Sequence, residues 1–483
     1  MDQTVNADDC CAVKHAGGGN YDVAVIGAGS AGFSAAITAA DEGAQVVLIG
    51  SGTIGGTCVN VGCVPSKALI RAAETLNVAH AAERFDGIEA SARVMDWRAT
   101  IRQKQDLVDG LRKAKYSDVL KNHNTVAYLE GEAVFSEDGK LTVDGIAIAA
   151  KKIIITTGAR PAMPSIEGIE RVPYLTSTTA LDLETLPESL LVIGAGYIGA
   201  EIAQVFARAG VKVTIVSRRG LLPEAEPEIG EALTGYFEHE GITVVSGITY
   251  DRIETRGDSV VLAVRDGAAT REITSEKVLV ATGRTPNTEH LNLASAGIEL
   301  TANNGVKADA QMRTTRENVY AAGDVTGRDQ FVYMAAYGAK IAAKNAMNGN
   351  SLSYDNSAMP AVVFTDPQVA SVGLTEAQAR QRGFEIRTSV LTLDNVPRAL
   401  AARDTRGLIK LIADRSSKKL IGAHILAPEG SDSIQTAVLA IKMGMTYEEL
   451  GGTIFPYLTT VEGLKLAAQT FDMDVKMLSC CAG

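Results

Sequence analysis

The apolar positions between Tyr21 and Ile49 change period twice. Tyr21-Asp22-Val23-Ala24-Val25-Ile26 is a nearly continuous apolar run and reads as a buried strand. Gly27-Ala28-Gly29-Ser30-Ala31-Gly32 interrupts it, Phe33 to Gly43 has the spacing of a small-residue helix, and Gln45 to Ile49 reads as a second strand. The same order returns at Leu190 to Ile193, Gly194-Ala195-Gly196-Tyr197-Ile198-Gly199, a helix from Ala200 to Gly210 and a strand from Val211 to Val216. Two βαβ starts, each with G-x-G-x-x-G between strand and helix, predict two dinucleotide folds. Such a turn lets backbone approach a pyrophosphate at a helix N-terminus. Gly27, Gly29 and Gly32, then Gly194, Gly196 and Gly199, are therefore candidate dinucleotide contacts. Two dinucleotides in one chain imply electron transfer between them.

Ile153-Ile154-Ile155-Thr156-Thr157-Gly158 and Val278-Leu279-Val280-Ala281-Thr282-Gly283 resemble each other and mark the chain leaving one nucleotide fold for its neighbour. Asn318 to Ala321 reads as a strand running into Ala322-Gly323-Asp324. Asp324 is placed either to accept from a ribityl hydroxyl or to N-cap a helix expected from Phe331 to Met347. From Ser357 onward strands (Ala361 to Phe364, Leu408 to Ile412, Leu420 to Ile425) alternate with helices (Thr375 to Arg382, Ser431 to Met443, Thr460 to Gln469). That pattern predicts an antiparallel sheet with helices on one face. The fold class is α/β. The expected division is a flexible leader (1–20), a first nucleotide fold in two parts (21–160 and 285–356), a second (161–284), an α+β domain (357–470) and a tail (471–483).

Composition narrows the function. A net charge of −11 over 483 residues, with no basic cluster, argues against nucleic acid. No run of 18 apolar residues is long enough to span a membrane. Met1 to His15 lacks the apolar core of a signal peptide, so a cytoplasmic setting is expected. The six cysteines are two vicinal pairs, Cys10-Cys11 and Cys480-Cys481, plus Cys58 and Cys63. That is no disulfide framework for a chain this long, and it points to cysteines used for chemistry in a reducing compartment.

Cys58 and Cys63 lie in Gly55-Gly56-Thr57-Cys58-Val59-Asn60-Val61-Gly62-Cys63-Val64-Pro65-Ser66-Lys67, ahead of a helix-compatible run from Ala68 to Leu76. With a helix starting near Cys58, both sulfurs fall in its first turns, where unpaired N–H groups favour negative charge. A thiolate there is a nucleophile or a soft-metal ligand; a structural disulfide or two buried thiols is the alternative. The acid that ordinarily binds the adenosine ribose at the end of the second strand is missing in both folds, where Gly50 and Ser217 stand. Arg218 and Arg219 follow Ser217 and suit a 2′-phosphate, hence NADPH.

These motifs resemble the FAD-dependent pyridine nucleotide–disulfide oxidoreductases over nearly the whole chain after residue 20. The resemblance rests on Gly27 to Gly32, Gly55 to Lys67, Gly194 to Glu201, Ala281-Thr282-Gly283-Arg284-Thr285-Pro286-Asn287 and Ala322-Gly323-Asp324. Phe455-Pro456-Tyr457-Leu458-Thr459-Thr460-Val461-Glu462-Gly463 and the ending Ser479-Cys480-Cys481-Ala482-Gly483 resemble its mercury-reducing branch. The amino-terminal metal-binding domain of many such enzymes is not expected, only the leader with Cys10-Cys11. The resemblance implies FAD and NADPH as cofactors, Hg(II) as substrate, and a homodimer formed through the α+β domain. It makes Cys58 and Cys63 the redox-active pair, with Cys63 nearer the flavin, and places Lys67 by flavin N5, paired with Glu201. Gly32, Gly52, Thr57, Ala133, Gly158, Asp324 and Val332 fall where the family contacts FAD. Gly283 belongs to the shared motifs, and Tyr197 would cover the nicotinamide side of the flavin. Cys480 and Cys481 of the partner subunit would deliver Hg(II), taken from small thiol complexes, to Cys58 and Cys63.

One position discriminates among reactions. Disulfide reductases of this family use a histidine five residues before a glutamate near the C-terminus as general acid–base. Here Glu462 is present and Tyr457 stands in that place. A phenol is a poor base at neutral pH, whereas reducing a metal ion held by two thiolates needs no proton shuttle; Tyr457 then orients or exchanges ligands. Two other functions remain open on sequence: a thioredoxin- or glutathione-type reductase with a C-terminal redox pair, and a non-catalytic flavoprotein that sequesters metal.

Overall fold

The computed structural model describes residues 20–477. The leader with Cys10-Cys11 and the tail pair Cys480 and Cys481 lie outside the described residues. The chain forms two compact units.

The first unit gathers residues up to Pro65, Arg102–Ala162 and Arg284–Asp355. Its five-stranded sheet is parallel. β1 (Asn20–Ile26) is central, with β2 (Val46–Gly50) and then β3 (Val126–Glu130) on one side. β4 (Ala149–Ile155) and the strand Val319–Ala321 lie on the other. Parallel neighbours need a crossover, and α1 (Ser30–Asp41) supplies the first. Side chains alternate between two cores as the strand period requires. Val23, Val25 and Leu48 pack with the alanines of α1 and of the helix Val332–Asn348, while Ala24, Ile26, Val47 and Ile49 meet Phe135 and Leu291.

Two expectations change here. The single helix expected over the cysteines is two: α2 (Gly56–Val61) and α3 (Cys63–His80). Gly62, at φ −130° and ψ −114°, breaks them apart, so each cysteine lies near the start of its own helix. Asp324 does not cap the long helix, whose N-cap is Phe331; it opens a short 3-10 turn, Asp324–Thr326.

The second unit holds Ser66–Ile101, Met163–Gly283 and the residues from Asn356. β5 (Ser189–Ile193), α4 (Tyr197–Arg208) and β6 (Lys212–Val216) repeat the βαβ start in a second five-stranded parallel sheet. An antiparallel meander covers residues 249–275. The strands β7 (Pro360–Val363), β8 (Gln368–Gly373), β9 (Ile386–Thr392), β10 (Leu408–Asp414) and β11 (Leu420–Ala427) form an antiparallel sheet in the order β7-β8-β11-β10-β9.

The helices of this last sheet lie on both of its faces, not on the single face expected. α5 (Glu376–Gln381) sets Ala379 against Ile386 and Ile412, whereas α6 (Gly430–Lys442) and α7 (Glu462–Gln469) cover Ala370, Leu411 and Ile425 on the other side. Lys410 explains the placement of α5. It is 2% exposed, and its ammonium meets Glu226, Glu228 and Glu376 at 2.7, 2.8 and 3.0 Å. A charge that deep persists only when paired, and Glu376 starts α5. Among the described residues no helix is long and apolar enough to cross a membrane.

Candidate active site

The first turn is as tight as a pyrophosphate site requires. A Cβ on Gly32 would lie 1.7 Å from the Gly27 carbonyl oxygen, so only glycine lets α1 start this close to β1. The cysteine segment is tied to the same turn, since Gly55 N–H donates to Ala28 O at 2.8 Å. α2 therefore begins beside Gly29, with Thr57 and Cys58 in its first turn. Cys58 is half-buried and Cys63, which opens α3, is exposed.

Two residues outside the cysteine segment bear on these sulfurs. Arg284 donates to Ala159 O, reaches Thr57 Oγ1 at 3.5 Å, and holds Nε 3.7 Å from Asp324 Oδ2. Burial lowers its pKa, while Asp324 and Cys63 oppose that shift. Asp324 is pushed above the usual carboxylate range by burial, with Arg284 pulling it back. Tyr116 shares a 3.0 Å hydrogen bond with Ser30 Oγ and packs edge-on against Phe33. Burial raises its phenol above the ordinary value; the Ser30 bond opposes the rise, and the charges of Cys58 and Cys63 add to it. A phenol raised in this way stays a hydrogen-bond donor at neutral pH. Arg284 was legible as part of a shared motif but not as a neighbour of Cys63. Tyr116 carried no signal at all, because it lies 53 residues after Cys63 in an unremarkable polar helix.

The other candidates of this unit surround the same sheet end or its periphery. Gly52, at φ +80°, lies between β2 and α2, and Gly158, at φ +70°, follows β4. Ala133 opens a short strand, and Val332 is the first residue of its helix. A glycine-lined turn at a helix start and a buried carboxylate on the neighbouring turn fit a flavin dinucleotide.

In the second unit Gly194, Gly196 and Gly199 repeat the first turn, with a Gly199 Cβ only 2.3 Å from Gly194 O. Tyr197 is the first residue of α4, and burial, then Glu224, raise its phenol pKa. Gly283 follows the strand Lys277–Val280 at φ +107°. Ser217 is buried and accepts from Arg219 N–H at 3.2 Å, while the Arg219 guanidinium pairs on the surface with Glu224 at 2.6 Å. Arg218 is exposed. Lys67, four residues after Cys63 on the same helix, meets Glu201 Oε2 at 2.8 Å. Glu201 is 6% exposed and also accepts from Phe364 N–H at 2.9 Å, and the Lys67 ammonium sits 4.7 Å from the Phe364 ring centre. Tyr457 is 54% exposed in the turn before α7, and Glu462 is buried, accepting from Leu458 N–H at 3.1 Å.

Residues 21–343 match the pyridine nucleotide-disulphide oxidoreductase family, and residues 359–468 match its dimerisation domain. The chain belongs to the pyridine nucleotide–disulphide oxidoreductases. Within them it is 48% identical over 482 residues to the mercuric reductase of Shigella flexneri, covering 97% of this chain and 84% of that protein. It is 46% identical to that of Lysinibacillus sphaericus, over 96% of this chain and 85% of the relative, and 44% identical to that of Streptomyces lividans, over 96% and 98%. Among solved structures, the HOCl-induced flavoprotein disulfide reductase RclA from Escherichia coli, in its Cu(II) complex, has a TM-score of 0.83 at 30% identity, covering 94% of this chain and 99% of that one. The match to the dimerisation domain supports a homodimer for this oxidoreductase.

Proposed function

We propose that the chain is an oxidoreductase catalysing NADPH + Hg(II) → NADP⁺ + H⁺ + Hg(0), with FAD as its resident cofactor and mercury detoxification as its role. FAD, when bound, supplies a ring that takes two electrons from NADPH and gives them up at the thiol side. Gly27, Gly29, Gly32, Gly52, Thr57, Ala133, Gly158, Asp324 and Val332 would hold it, and Lys67 is held by its ion pair with Glu201. The second fold holds NADPH through Gly194, Gly196, Gly199 and Gly283, Arg218 and Arg219 take the 2′-phosphate, and Tyr197 gates the nicotinamide.

Cys58 and Cys63 bind Hg(II) as thiolates. Two helix starts and the Arg284 cation favour that form, and soft sulfur suits a soft ion. Among the described residues no three His, Cys, Asp or Glu side chains gather into a metal site. The partner subunit's Cys480 and Cys481 strip Hg(II) from small thiols and hand it inward, so that it is never released in transit.

The observation that carries the choice of substrate is Tyr457, five residues before the buried Glu462, where a disulfide reductase needs a base. The likeness to RclA, a disulfide reductase by name, favours the rival reading. The test compares NADPH oxidation with Hg(II) in excess thiol against oxidised glutathione or thioredoxin. Faster turnover with Hg(II) is expected; faster turnover with the disulfides overturns the proposal, and Hg(II) binding without NADPH consumption points to sequestration instead.

A further inference from the structure

The first dinucleotide fold lacks the acid that ordinarily ends the second strand and accepts from the adenosine ribose. Gly50, the buried last residue of β2, stands there. There is no room for a side chain at this position. A Cβ on Gly50 would lie 2.6 Å from the Tyr128 hydroxyl oxygen and 2.8 Å from Ala28 Cβ. Strand register gives the reason. β3 runs parallel to β2 with Leu48 opposite Tyr128 and Gly50 opposite Glu130. Residues two apart share a face, so the Tyr128 ring leans toward the C-terminal end of β2. Its hydroxyl lies over the bare Gly50 backbone, where a Cβ would also meet Ala28 of the glycine-rich turn.

We propose that Tyr128 takes over the missing carboxylate's task and that its hydroxyl hydrogen-bonds the adenosine ribose of FAD in this chain. The inference rests on reading the first fold as the FAD site. The ring occupies the volume an acidic side chain at position 50 would need, and it puts an oxygen where that side chain's oxygens would start. A phenol both donates and accepts, so it can serve either ribose hydroxyl. Gly50 and Tyr128 act as a pair: the absence of one side chain makes room for the other. Glu130, exposed on the same face at the end of β3, is the rival group.

The test measures the dissociation constant of the full-length chain for FAD, and for a flavin dinucleotide lacking both adenosine ribose hydroxyls, by flavin fluorescence. Tyr128→Phe is expected to weaken FAD about 3- to 10-fold, the range of one neutral hydrogen bond, and to leave binding of the analogue unchanged. Gly50→Glu is expected to weaken FAD further by collision with the ring and with Ala28 Cβ, and Gly50→Glu with Tyr128→Val to recover part of that loss, the Ala28 contact remaining. Equal FAD affinity of Tyr128→Phe and parent overturns the assignment. So does a loss that persists with the analogue, or one reproduced by Glu130→Gln alone. Should Tyr128→Phe fail to fold, the double variant decides: no recovery over Gly50→Glu overturns it. A parent chain that binds no FAD brings down the FAD-site reading itself, whereas a parent that binds FAD as well as its Tyr128→Phe variant brings down only the tyrosine.

Discussion

Arg284→Met removes a cation while keeping much of the side chain's bulk, and the structure sets the size and the pH dependence of the effect. The Arg284 and Asp324 side chains are 13% and 21% exposed, with Nε 3.7 Å from Oδ2. At an effective dielectric constant near 20 that separation corresponds to a gross attraction of about 4–5 kcal/mol. Desolvation of both ions cancels most of it, so the intact pair contributes little net stability. Removing one partner is different, because it strands the other. For fully buried pairs the cost is about 3–5 kcal/mol, and the residual exposure here lowers the expectation to about 2–3 kcal/mol. The lost hydrogen bond to Ala159 O adds about 1 kcal/mol that does not depend on pH. The sign follows from Asp324, which burial already raises and from which Arg284 subtracts. Without Arg284 its folded pKa rises further above the unfolded value. A raised carboxyl is tolerated while protonated and costs stability as pH rises through its folded pKa. The electrostatic part of the penalty is therefore full above the raised folded pKa of Asp324 and fades as pH falls through it toward the unfolded value. The assay is urea unfolding at saturating FAD, followed by flavin fluorescence across a pH series, with Asp324→Asn and the double variant completing a cycle. A penalty of constant size at every pH, or single effects that add within about 0.5 kcal/mol, refutes the reasoning.

Three further outcomes are expected. Glu201→Gln leaves one acceptor oxygen for two donors, Lys67 Nζ and Phe364 N–H, and should cost about 2 kcal/mol, read as a lower thermal midpoint that Lys67→Met partly restores. Arg218→Ala with Arg219→Ala should raise the KM for NADPH about tenfold or more and that for NADH less than about twofold; the exposed Arg219–Glu224 pair is weak enough to open for a phosphate. Cys480→Ala with Cys481→Ala should slow turnover when Hg(II) arrives as a dithiol complex but leave reduction of the flavin by NADPH unchanged, as stopped-flow absorbance would report.

Much of the fold was legible because its signals are local. Strand, glycine turn and helix follow one another within some thirty residues in both nucleotide folds, and each element appears within a few residues of its expected bounds. The break at Gly62 was legible too and was missed: Pro65, three residues on, is tolerated in a helix's first turn but not in its interior, and so marks a helix start just after Gly62. The placement of α5 was missed for a different reason: it follows from a buried lysine whose carboxylate partners lie up to 184 residues away. The same limit applies at the site. The glycines and cysteines announce themselves, whereas the neighbours that tune them, Arg284 and Tyr116, are brought in by tertiary packing. Gly50 was conspicuous as a missing acid, and only the register of β2 with β3 shows what fills the space.

The central claim is that electrons from NADPH end on mercury held by Cys58 and Cys63. It is tested most directly by trapping mercury vapour from the purified protein supplied with NADPH, Hg(II) and excess thiol. Equimolar Hg(0) and NADP⁺, both lost in Cys58→Ala and in Cys63→Ala, is the predicted result. NADPH oxidation without vapour, or vapour that persists when both cysteines are replaced, would contradict it.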